Sequence, residues 1–189
     1  MFTTQVIHSD CKHHRRLLVM TKNIKHFTIL SLFLAFAVIL GYVEYLIPFD
    51  FGIYGFKLGL SNISTVILLY IVGAKSTVAV LFLRIFIVNI IFGTGFSMIF
   101  SLIAGTGSFL VMFLLKKFLK SNIIFTSAIG GIVHNVIQIF VACFLVETVY
   151  VLYLLPMLIL LGLFTGIVIG FVSKVIYKKI NTYIKKCYN

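Results

Sequence analysis

Lys57, Arg84, His134, Asn135 and Gln138 lie within or at the edge of long apolar runs, an unusual place for ionisable and amide side chains. A charge at the centre of a bilayer costs roughly 2.5–3.5 kcal/mol on insertion scales, so such residues face a bundle interior and mark a substrate or ion path. At about 100° per residue, Lys57, Ser61, Asn62, Ser64 and Thr65 share an arc of roughly 160°, and Ser127, Gly131, His134, Asn135 and Gln138 one of roughly 80–100°. Arg84 sits near the middle of its run, with Asn89 toward one end. Two permanent cations and a histidine thus gather where only Glu44 offers a counter-charge. That arrangement predicts a ligand with an anionic or strongly hydrogen-bond-accepting group. The plain alternatives are interhelical hydrogen bonding for the amides, and pairing of Arg84 with a helix C-terminus or with Glu44.

The elements that must position these residues are membrane helices. The chain has 189 residues, is 61% hydrophobic and only 11% charged, and has a mean hydropathy of +1.18. One soluble core cannot hide its 20 Phe and 9 Tyr. Apolar runs bounded by charges, Gly or Pro fall at about 27–47, 58–73, 76–92, 97–115, 123–146 and 149–173. This predicts an all-α, six-helix polytopic membrane bundle over 27–175, with basic tails at 1–26 and 176–189. The second run, at roughly 16 residues and 24 Å, is shorter than a hydrocarbon core, which would draw the Lys57 loop into the membrane.

The net charge of +12 does not point to nucleic acid, because the cations sit at the ends of apolar runs. With both termini on one side, that side receives 14 of the 16 Lys and Arg, counting all except Lys57 and the intramembrane Arg84. The positive-inside rule then places both termini in the cytoplasm. The first run is too long for a signal core and no small-x-small cleavage site follows it, so it is expected to remain as an anchor. Met20 reads as a natural start, which would make residues 1–19 an artefact of the initiation codon. His8, Cys11, His13 and His14 match no zinc spacing, and Cys11, Cys143 and Cys187 imply no disulfide framework. No metal and no cofactor is expected.

Small residues form a second pattern. Gly162, Gly166 and Gly170 recur every four residues, and Ser97, Ser101, Gly105 and Ser108 share a stripe, as close helix packing requires. Ser31, Ala35, Ala37 and Gly41 form a comparable face on the first run, suited to an internal or a partner interface. Phe92-Gly-Thr-Gly-Phe96 lacks a following Gly-Lys-Ser/Thr or a dinucleotide fingerprint, and reads as a turn.

Phe56-Lys-Leu-Gly-Leu-Ser-Asn62, Arg84, Phe92-Gly-Thr-Gly, His134-Asn-Val-Ile-Gln138, Pro156 and the last glycine stripe together resemble the Gx transporter family, also labelled heptaprenyl diphosphate synthase component I. Glu44 and Pro48 fit as well, and the resemblance covers roughly residues 27–180. The family is similar to the six-helix substrate-binding S-components of energy-coupling-factor (ECF) transporters. The resemblance implies capture of a small molecule at the outer side and docking on an energising module, a T subunit plus two ATPases. Docking through small residues of the first helix would use Ala35, Ala37 and Gly41.

The two family labels imply different functions. A prenyl diphosphate synthase gathers carboxylates around metal ions, whereas the four acids here, Asp10, Glu44, Asp50 and Glu147, are scattered. The chain cannot be that catalyst alone, and it carries no Walker motif to hydrolyse ATP. The reading is a substrate-specific transporter subunit with Lys57, Asn62, Arg84, His134, Asn135 and Gln138 lining the cavity. The alternatives are a non-catalytic membrane accessory of isoprenoid diphosphate synthesis, partnered by a soluble prenyl diphosphate synthase subunit, and a membrane scaffold. The topology is testable by reporter fusions. Fusions at residue 189 and within 116–122 should be active in the cytoplasm and fusions near residue 52 outside; a C-terminus outside the cell would sink the six-helix arrangement.

Overall fold

The computed structural model describes Ile24, residues 26–46 and residues 59–188, with side chains up to residue 179. The described chain forms α1 (His26–Leu46), α2 (Asn62–Ile71), α3 (Ala74–Ile91), α4 (Gly95–Leu119), α5 (Ile123–Val146) and α6 (Leu155–Tyr188). A 3-10 segment, Val149–Leu154, leads into α6. No strand occurs among the described residues. Five helical stretches are long and apolar enough to cross a bilayer; α2, with 10 residues, is the short one.

The outer surface is apolar, and the polar side chains of the helices are gathered inside, among apolar clusters. Phe118, Phe144, Leu160 and Phe164 are exposed, while Glu44, Asn62, Arg84, His134 and Gln138 are buried. Lipid tails impose this inversion, since each polar group must find a partner within the protein and Leu or Phe is at home on the surface. The chain is an all-α polytopic membrane protein.

Successive helices run antiparallel. Glu44 of α1 meets Gly59 at the entrance to α2, while Phe33, earlier in α1, accepts a hydrogen bond from Ser64 further along α2 at 2.9 Å. Thr94 caps α4 by accepting from the Ser97 N–H at 3.3 Å, and Ser97 Oγ donates to Asn89 Oδ1 at 2.8 Å, closing the α3–α4 turn. Ser108 of α4 donates to the Gly130 carbonyl of α5 at 2.9 Å. With six alternating helices, the N-terminal end of α1 and the C-terminal end of α6 lie on the same face of the bundle, where Ile29, Leu30 and Ile176 pack around one apolar cluster.

Several boundaries differ from the sequence expectation, among them the C-terminal end of α4, at Leu119 against the expected 115. α2 begins at Asn62, not at residue 58, because Gly59 at φ +81 and the turn after it precede the first helical residue. The last apolar run divides into the 3-10 segment and α6. Pro156 stands in the first turn of α6, where its missing N–H disrupts nothing. The helix then continues through Lys174, Lys178 and Lys179 to Tyr188, so most of the expected tail after residue 175 is helical.

The α5–α6 crossing is a backbone-to-backbone contact. A Cβ on Gly131 would collide with the Gly162 carbonyl, and one on Gly166 would lie 2.7 Å from Ser127 O and 2.8 Å from Ala128 Cα. One on Gly170 would lie 2.8 Å from Ile124 Cα. Main-chain atoms cannot yield as side-chain tips do, so this interface tolerates glycine alone. Gly166→Ala should therefore cost about 1–3 kcal/mol by overpacking, read as a lower unfolding midpoint in detergent. Gly166→Leu should abolish the monodisperse species. Gly95→Ala is the control: nothing lies within 4 Å of its Cβ position, and its effect should stay within about 0.5 kcal/mol.

Candidate binding site

The site is built around the start of α2. Gly59 adopts a backbone conformation that other residues rarely take, and a Cβ there would also press on Asn62 Nδ2 at 3.0 Å and His134 Cδ2 at 3.4 Å. The turn closes through Asn62 N–H to Gly59 O at 2.9 Å and Ile63 N–H to Leu60 O at 3.1 Å. The N–H groups of Gly59 and Leu60 are left for an outside acceptor. Glu44 supplies it: its Oε1 accepts from Gly59 N–H and, at 3.3 Å, from Leu60 N–H. A carboxylate at a helix N-terminus has the sign that the helix dipole favours.

One step into α2, Asn62 Oδ1 accepts from Arg84 Nη2 at 2.7 Å. Arg84 is only 4% exposed, and its Nε and Nη1 have no hydrogen-bond partner. Glu44 lies close enough to act on the guanidinium electrostatically. Glu44, Gly59, Arg84, Asn89, Ser101 and His134 surround a cavity of about 30 Å³, room for about two waters or one small polar group. A smaller void of about 10 Å³ lies beside it, between Asn62, Ser108, Ser127 and Thr165. Gly59 and His134 border both, so the imidazole stands in the wall between them.

The expected site residues thus divide. Arg84 and His134 line the larger cavity, and Asn62, hydrogen-bonded to Arg84, borders the smaller void that His134 also lines. Asn135 turns to α6 instead, donating from Nδ2 to the Leu158 carbonyl at 2.9 Å, and its Oδ1 has no partner. Gln138 is wholly buried with both amide atoms unpartnered, and it borders neither cavity. Lys57 lies outside the described residues. Of the small residues on α1, Ala37 and Gly41 are buried, a Cβ on Gly41 being 2.8 Å from Val88 Cγ2, whereas Ala35 is exposed. Gly162, Gly166 and Gly170 line the α5–α6 crossing.

Glu44 and Gly59 belong to the site but were not among its expected members. Their signals were a single acid just before the end of an apolar run and a glycine inside the Lys-Leu-Gly motif. Among the described residues no three His, Cys, Asp or Glu side chains gather as a metal site. The chemistry on offer is recognition: a fixed cation with unused donors, a helix N-terminus and an imidazole.

A family model described as heptaprenyl diphosphate synthase component I matches residues 33–176, a range that contains the whole cavity wall. No curated protein and no solved structure matches the chain.

The Asn62–Arg84 bond gives a direct test of the site's architecture. Asn62→Leu removes the acceptor of the Arg84 Nη2 hydrogen bond and should cost about 1–3 kcal/mol. Asn62→Asp, which keeps an acceptor oxygen, should recover most of that loss. Thermal unfolding of both variants in detergent checks the pair, and equal midpoints for Asn62→Leu and the unaltered protein would show that the bond carries no weight.

Proposed function

We propose that this chain, which belongs to the heptaprenyl diphosphate synthase component I family, is the substrate-binding subunit of a membrane transporter. It captures a small acidic molecule from the side of the membrane opposite its termini, and separate ATPase subunits energise release. The observation that carries this reading is the cavity beneath the α1–α2 junction, walled by a buried arginine with two unpartnered nitrogens. Val66, Leu69, Leu81, Phe109, Met112, Ile123 and Ile169 fill the bundle between that cavity and the end that carries the termini. A molecule held at Arg84 meets an apolar plug on that side, which suits binding followed by partner-driven rearrangement better than a standing channel.

In this reading both termini face the cytoplasm, Lys57 is a further cation for the ligand, and the exposed Ala35 face of α1 is available to an energising T subunit. The family's description favours a second reading, in which the chain is a membrane accessory that associates with a soluble synthase component. Scattered carboxylates make it a non-catalytic partner there.

Gentle solubilisation and native mass spectrometry separate the two. Retained ATPase subunits and a small acid support the transporter subunit; a stoichiometric soluble prenyltransferase supports the accessory. For the first, Arg84→Leu should weaken ligand binding about tenfold to a hundredfold, the loss expected for hydrogen bonds to a charged group. Arg84→Lys should also impair it, because an ammonium does not reproduce the planar fork. An Arg84→Leu variant that inserts normally and supports full uptake would reduce the arginine to a packing residue.

A further inference from the structure

We propose that Glu44 occupies the seat of the ligand's own acidic group, and that the ligand is a carboxylic acid that binds by exchanging with it. The inference rests on the binding-subunit reading above and names its substrate class. A side-chain carboxylate already sits on two consecutive N–H groups, Gly59 and Leu60, in the turn that leads into the N-terminus of α2, so the seat matches a carboxylate in shape and in sign. The second observation is independent. Arg84, 4% exposed, borders the same cavity with Nε and Nη1 unpartnered, donors in excess of what its bond to Asn62 uses.

Exchange follows from space and charge. The cavity holds about 30 Å³, and two ionised carboxylates confined together at low dielectric repel strongly. An incoming acid therefore takes the amides and the guanidinium while Glu44 swings away. The charge balance argues against a diphosphate, which carries more negative charge than one buried guanidinium neutralises at low dielectric.

The test uses the purified full-length chain in detergent, titrated with acetate, hexanoate, inorganic phosphate and pyrophosphate and followed by thermal unfolding. Hexanoate should stabilise the protein, and Arg84→Leu should lose the effect. Glu44→Gln and Glu44→Asp should each bind hexanoate about tenfold more tightly, the first because a neutral amide oxygen competes more weakly than a carboxylate, the second because the shorter carboxylate no longer reaches the amides. Glu44→Asp matters most. It keeps the negative charge and shortens the reach, which separates loss of a competitor from a general change of field, and it remains available should Glu44→Gln fold poorly. Carboxylate binding that needs Arg84 but is no tighter in either Glu44 variant overturns the exchange and leaves the binding subunit standing. Preference for pyrophosphate over hexanoate overturns the carboxylate assignment. Failure of every anion to bind any variant overturns both readings.

Discussion

The rest of the structure depends on a short helix whose two ends must be satisfied at membrane depth. α2 has 10 residues, about 15 Å of rise, against a hydrocarbon core of roughly 30 Å. Its first N–H groups and last carbonyls cannot rely on water, and in lipid each unsatisfied group costs several kcal/mol. The preceding turn answers the first two, Asn62 and Ile63 donating to the Gly59 and Leu60 carbonyls. One charge then stands at each end, Glu44 satisfying the N–H groups of that turn. Glu44 accepts from Gly59 and Leu60 at the N-terminus, and Lys116 donates to the Leu69 carbonyl at 2.5 Å near the C-terminus while lying over the Tyr70 ring. Each sign opposes the local end of the helix dipole. These two contacts tie α2 to α1 and to α4, and so set the depth at which Asn62 meets Arg84.

A buried arginine is tolerable under the same accounting only because the bundle brings acceptors to it. Asn62 offers one, and Glu44 supplies the opposing charge nearby. The remaining donors make the place useful for recognition, since a buried guanidinium attracts an acceptor more strongly than one in water. α5 then serves two neighbours from one polar stripe. His134 faces the cavity, while Asn135 and Gly131 face α6 at the tight crossing. Consecutive residues on a helix lie about 100° apart, so a stripe that spans 80–100° belongs to two interfaces at once.

That division explains what the sequence could and could not disclose. The helices and their polar faces were legible because hydropathy and charge placement act locally, and α5 was read at Ile123–Val146 to the residue. The meeting of Asn62, Arg84 and His134 was legible because lipid leaves such groups nowhere else to go. The turn of Asn135 toward Leu158 was not, because the rotation of α5 is set by glycines on α6 some thirty residues away. Nor was the seating of Glu44 on Gly59 and Leu60, which needs the irregular entry to α2 and the depth imposed by Lys116. Gly41 carried a docking signal on composition, yet its contact is Val88 inside the bundle. Small residues announce close approach but not the identity of the approaching helix.

The placement of polar and apolar layers along the bundle carries the functional argument one step further. The cavity lies toward the end opposite the termini, bordered by α1, α3, α4, α5 and the entrance to α2. Below it the Val66–Leu81–Phe109–Met112 cluster is apolar, so a polar ligand moving inward would lose its hydrogen bonds before finding others. Yet the contacts that hold the cavity in register are reversible ones: a carboxylate on two amides, a guanidinium on one amide oxygen and an ammonium on one carbonyl. The α5–α6 crossing, by contrast, is glycine against backbone and admits little sliding. Movement that changes access at Arg84 is therefore expected in α1 and α2 against a fixed α5–α6 pair. The surface on which a partner would have to act is consequently the lipid-facing side of α1, where Leu32, Ala35 and Ile39 are exposed.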